Sequence, residues 1–84
     1  MEWETGRVVL AIAGRDKGKF FVVLGYDNQQ VLIADGKSRK IENPKYKNEK
    51  HLQATRTVVP ASSLATNREV KKALRSFLSQ EGGC

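Results

Sequence analysis

The chain has 84 residues, with 15 Lys or Arg against 9 Asp or Glu, a formal charge of +6 and a sequence pI near 9.8. A single domain of this size buries only about 60 to 65% of the surface its unfolded chain exposes, which leaves little room for a deep catalytic cleft. The one cysteine, Cys84, stands in a Glu-Gly-Gly-Cys tail, which excludes an internal disulfide framework and a CxxC zinc pair and fits a reducing cytoplasm.

The opening Met-Glu-Trp-Glu is acidic where a signal peptide needs cations, and no apolar run is long enough to span a bilayer. A soluble, cytoplasmic protein without membrane contact is expected.

In chain order, the first half alternates with period two, as half-buried strands do. A first strand over 6–13 puts Val8, Leu10 and Ile12 on one face and Val9, Ala11 and Ala13 on the other. A second over 19–25 puts Phe20, Val22 and Leu24 on one side and Phe21 and Val23 on the other. Both faces are apolar, which in so short a chain implies a sheet curled on itself. Phe20 and Phe21 cannot both point inward, so one of them is expected at the surface.

Gly25 marks a bend and Asp27-Asn28 a turn. A third strand, 30–34, ends at Asp35-Gly36, which suits a tight hairpin into a short fourth strand over 39–42. Asn43-Pro44 then ends strand pairing, and the following stretch has neither period, so 43–52 is expected to be a long basic loop. Residues 53–59 return to β-prone types as a fifth strand before Pro60.

The last segment changes period. Thr66-Asn67-Arg68-Glu69 matches a capping box, and Val70, Ala73, Leu74, Phe77 and Leu78 follow helical spacing, with Lys71, Lys72 and Arg75 elsewhere around the wheel. The expected organisation is a mainly β single domain over 1–84. It comprises a small five-stranded SH3-like barrel over 6–59, a C-terminal helix over 66–80 whose stripe covers an open end of the barrel, and a disordered tail over 81–84. Trp3 and Phe77 are expected in the core or at its end.

Two features carry charge beyond what a fold needs. Gly14-Arg15-Asp16-Lys17-Gly18-Lys19 joins the first two strands with two glycines and three cations. A nucleotide-binding loop is excluded, because three residues rather than four separate the glycines, Phe20 stands where a magnesium-holding hydroxyl belongs, and a strand rather than a helix follows. From 37 to 50, Lys37, Arg39, Lys40, Lys45, Lys47 and Lys50 face only Glu42 and Glu49, so +4 of the charge lies in one sixth of the chain. Such a stripe is either a polyanion footprint or a solvated basic loop.

These elements resemble the KOW-motif proteins, in particular those related to large-subunit ribosomal proteins of archaea and eukaryotes. The matching residues are Gly6-Arg7-Val8-Val9, Gly14 to Lys19, Val23-Leu24, Asp35-Gly36, Arg39, Pro44-Lys45 and Lys50-His51-Leu52, roughly residues 6 to 55. The resemblance implies a KOW-type SH3-like barrel that binds ribosomal RNA or sits on the transcription or translation machinery. Gly18 matches the glycine most characteristic of the motif, where a backbone free of a Cβ is needed for positive φ or for close approach to a phosphate.

On this reading Arg15, Lys17, Lys19, Lys37, Arg39, Lys40, Lys45, Lys47 and Lys50 contact RNA phosphates, while Asp16 trims the charge or braces the turn. Tyr46, between two lysines, either stacks a splayed base or packs its ring on the barrel. His51 either hydrogen-bonds RNA or anchors its loop, and no cysteine or carboxylate cluster near it suggests a metal. No residues suggest a cofactor or a catalytic arrangement, because His51 and Cys84 have no orienting partners. The free protein is expected to be a monomer. A protein-interaction module with the same fold, associated with transcription or translation, is the alternative.

Overall fold

The computed structural model describes residues 3–82. Strands β1 (Arg7–Ala11), β2 (Phe20–Asp27), β3 (Gln30–Ala34), β4 (Lys45–Asn48) and β5 (Leu52–Val58) form one antiparallel sheet in the order β4-β3-β2-β1-β5. A 3-10 turn at Glu49–His51 links β4 to β5, a second spans Ala61–Leu64, and α1 runs from Asn67 to Gly82. The protein is mainly β with a C-terminal helix. Strands β4 and β5 are the two edges of the sheet, which is not closed.

The period-two pattern sorts side chains onto two faces, and both are covered. Val9 pairs with Phe21, and these join Ala11, Val23, Val31, Ile33, Leu52 and Trp3 in one core. Val8 pairs with Val22 on the opposite face, where Val70, Leu74 and Phe77 of α1 pack against them. Each fully buried Val, Leu or Phe contributes about 1.5 to 3 kcal/mol of transfer free energy, so neither face is dispensable. Register shifts at Arg7/Val9 and Val23/Gly25 bend the sheet, the second at the glycine expected to mark a bend.

The helix therefore lies on the second face of the sheet rather than closing the end of a barrel. One bond of the expected capping box is present at its start, where the Thr66 hydroxyl accepts from the Glu69 N–H at 3.1 Å. Of the two phenylalanines Phe21 is fully buried, while Phe20 is only partly buried, its ring packing on Phe77 with centroids 5.2 Å apart at 57°. Leu78, expected in the buried stripe, is 47% exposed. One residue past Phe77 it has turned about 100° away from the sheet. Glu81 and Gly82, expected in a tail, belong to α1, whereas Gly83 and Cys84 lie outside the described residues.

The expected fourth strand over 39–42 does not form. The Asp35 carboxylate accepts from the N–H groups of Lys37 and Arg39, and the Arg39 carbonyl accepts from the N–H groups of Asp35 and Gly36, so this stretch closes as a compact turn. Gly36 has φ +77, and a Cβ there would meet the Asn67 carbonyl oxygen. The Asp-Gly pair serves contact with the helix start, not a two-residue hairpin.

The fourth strand is β4, inside the segment expected to be loop. Val31 pairs with Lys47 and Leu32 with Tyr46. Alternation persists here, but a lysine takes the inward position, its aliphatic stem buried and Tyr46 facing out.

Candidate functional site

The loop between β1 and β2 begins from backbone geometry. Gly18 N–H donates to the Ala11 carbonyl at 2.8 Å, and Ala11 N–H donates to the Lys19 carbonyl at 2.9 Å, so two residues of one strand oppose one of the other. This is a G1-type β-bulge, whose first position needs a left-handed backbone. Gly18 supplies it with φ +89, and no atom lies within 4 Å of where its Cβ would be. The glycine is required by conformation, and the space beside it is open.

The tightened loop turns Asp16 inward. Its Oδ2 lies 3.6 Å from Arg39 Nη2, 3.5 Å from Lys45 Nζ and 3.9 Å from Lys47 Nζ. Burial pushes the Asp16 carboxyl up, but the charges of Arg39, Lys45 and Lys47 and the Lys45 hydrogen bond outweigh it and hold the group below its usual value. Asp16 thus binds the β1–β2 loop to the 35–45 turn and to β4. Lys47 is itself buried, and its ammonium fits against Gly14, where a Cβ would come within 3.1 Å. Of the residues expected to touch phosphate, Arg39, Lys45 and Lys47 are therefore gathered on one carboxylate, and Lys47 is the least accessible.

Beside this cluster is an open groove of about 580 Å³ between the Gly18–Phe20 backbone, the turn at Asp35–Ser38 and α1. Four cations line it: Lys19, Lys37, Lys71 and Arg75. Phe20, Leu74 and Leu78 also line it and form its apolar part. The only carboxylate among its lining residues, Asp35, accepts from two backbone N–H groups of its own turn. The helix holds its place through Asn67, whose Oδ1 accepts from Ile41 N–H at 2.8 Å and whose amide donates to Glu42.

Lys71 and Arg75, outside the residues expected to touch RNA, stand in this groove with Lys19 and Lys37. Their signal was available as an i, i+4 pair flanking the i, i+4 pair Leu74 and Leu78. The sheet face that they would border was not.

Arg15, Lys17 and Lys40 are exposed around these two groups without lining the groove. Tyr46 is 55% exposed, so its ring is not packed into the core. Lys50 and His51 sit exposed in the 3-10 turn and join neither group, and the His51 carbonyl accepts from Ile12 N–H. Glu49 in the same turn accepts from Trp3 Nε1 at 3.1 Å and from the Tyr26 hydroxyl at 3.0 Å. The hydrogen bond to Glu49, with some burial and the Glu49 charge, raises the Tyr26 phenol above its ordinary value.

Among the described residues no group of His, Cys, Asp and Glu is placed to hold a metal ion, and no helix is long and apolar enough to cross a membrane. No family model matches the chain, and no curated protein matches it.

Proposed function

We propose that the chain is a non-catalytic, cytoplasmic RNA-binding protein of KOW type, its curved sheet being a variant of the SH3-like barrel, and that its target is ribosomal or ribosome-associated RNA. One observation supports this most: cations from three separate segments adjoin the Gly14–Lys19 loop. Arg39, Lys45 and Lys47 meet Asp16, while Lys19, Lys37, Lys71 and Arg75 share the groove, so seven cations stand with two carboxylates, Asp16 and Asp35. Both carboxylates are engaged within the fold. The surplus positive charge is available to a polyanion.

Binding of this kind releases condensed counterions, so affinity falls linearly with salt on a log-log plot, by roughly 0.7 to 0.9 per phosphate contact. With about four to six contacts, the loss between 50 and 200 mM salt is roughly a hundredfold to a thousandfold. Replacing Lys19 and Lys37 together by Gln reduces the slope by about 1.4 to 1.8 while leaving the fold intact, since exposed cations contribute little to stability. Anisotropy titrations of labelled ribosomal RNA fragments at several salt concentrations test this. Absence of RNA binding, or binding indifferent to salt, overturns the reading.

A protein-interaction module associated with the transcription or translation machinery is the second reading, and exposed Leu78 beside the groove is the observation that favours it. Crosslinking in cells that recovers a protein and no RNA would support it.

A further inference from the structure

We infer that the groove between the Gly18–Phe20 backbone and α1 holds an unstacked nucleotide of a single-stranded RNA, with the base on Phe20 and Leu78 and the flanking phosphates on Lys19 and Lys37 at one side and Lys71 and Arg75 at the other. The inference rests on the RNA-binding reading and specifies where and in what form the RNA is held.

The composition of the groove carries it. A surface that reads only the backbone of a duplex needs cations, not an apolar strip between them, because stacked and paired bases present their phosphates outward and keep their faces covered. Here the apolar strip is present. Leu78 is 47% exposed and lines the groove together with Phe20, with Arg75 one turn and Lys71 two turns before it on the helix. The strip is also fixed in place, since Phe20 is braced by Phe77 with ring centroids 5.2 Å apart and Leu74 is buried beneath it. A rigid apolar surface with a cation on either side matches a ligand with a flat apolar face between two negative charges, which a nucleotide in a single strand provides. The groove, at about 580 Å³, falls within the range of sites that take small ligands whole. An acidic peptide would satisfy the cations and leave the strip without a planar partner.

The test compares a labelled oligo-uridylate with a duplex RNA of the same length, using the full chain and two variants. Leu78→Ser removes apolar contact at a residue whose exposure makes misfolding no concern. It should weaken the single strand about fivefold without changing the salt slope, because apolar contact releases no counterions. Lys71→Gln with Arg75→Gln should lower the slope by about 1.4 to 1.8. The native protein should bind the single strand more tightly than the duplex. If RNA binds with strong salt dependence but neither variant alters it, or the duplex binds equally well, the groove assignment is overturned while the RNA-binding reading stands. If an oligo-glutamate of equal charge displaces the oligo-uridylate as effectively as unlabelled RNA, the groove is an unselective anion site and the base-holding role is overturned. If no RNA binds at any salt, both fall.

Discussion

The Asp16 carboxylate lies 3.9 Å from the Lys47 ammonium, with each side chain no more than 7% exposed. The buried Lys47 ammonium depends on this carboxylate, which also holds Arg39 and Lys45 at 3.6 and 3.5 Å. Asp16→Asn should therefore lower stability at pH 7 by about 2 to 4 kcal/mol, because it leaves Lys47 buried beside two further cations. The folded protein holds the Asp16 carboxyl below its usual value, so its contribution is fully present above the unfolded pKa near 3.9 and is lost as the pH falls through the lower folded value. Urea titrations at a series of pH values should show native protein and variant converging below pH 4. Lys47→Met added to Asp16→Asn should recover part of the loss; a loss that simply adds would show that the two groups are not coupled.

Gly18 has positive φ and open space around it, so substitution there tests conformation alone. Gly18→Val should cost about 1 to 3 kcal/mol, whereas Gly18→Asn should cost less than about 1, because Asn tolerates the left-handed region. Thermal melts of the two variants make the comparison. Equal losses would show that crowding, not φ, is the cause.

Between β2 and β3 the two-residue turn places Asn28 at φ 52 and Gln29 at φ 66. This is the backbone of a type I′ turn, in which the second position favours glycine. Gln29→Gly should stabilise the protein by up to about 1 kcal/mol, the relief of left-handed strain being partly offset by a more flexible unfolded chain. For a domain of this length, calorimetry should register a rise in Tm of a few degrees. A fall would mean that the Gln29 side chain contributes more than its backbone costs.

The rotation of α1 can be read from two adjacent residues. Phe77 is 4% exposed and packs on Phe20, while Leu78 is 47% exposed. Phe77→Ala should cost about 3 to 5 kcal/mol and Leu78→Ala under about 1, as measured by chemical denaturation. Similar costs would require a different helix orientation.

What could be read from the sequence followed from which signals are local. The faces of β1 and β2 were legible because Val8, Val9, Phe21 and Val22 alternate without interruption, and the helix start because Thr66 and Glu69 lie three residues apart. The strand at Lys45–Asn48 was hidden, since its inward position is Lys47, whose apolar part is a stem that composition counts as charge. The role of Asp16 was hidden for another reason: its partners lie 23 to 31 residues further on, and only the fold brings them within 4 Å. The helical position of Lys71 and Arg75 follows from local spacing, but which neighbours they meet depends on the sheet face that α1 covers.

The strand order also has a consequence for synthesis. Because β1 sits between β2 and β5, its outer edge is unpaired until residues near Val58 exist, and the face bearing Val8 and Val22 is uncovered until Phe77 does. Some 55 residues separate Val22 from Phe77, so at about 5 to 20 residues per second a nascent chain carries a sticky, half-finished hairpin for roughly 3 to 11 s. Such a hairpin is marginal by itself. This sheet can reach its final form only once α1 has been synthesised, and its most aggregation-prone surface is the one that helix hides.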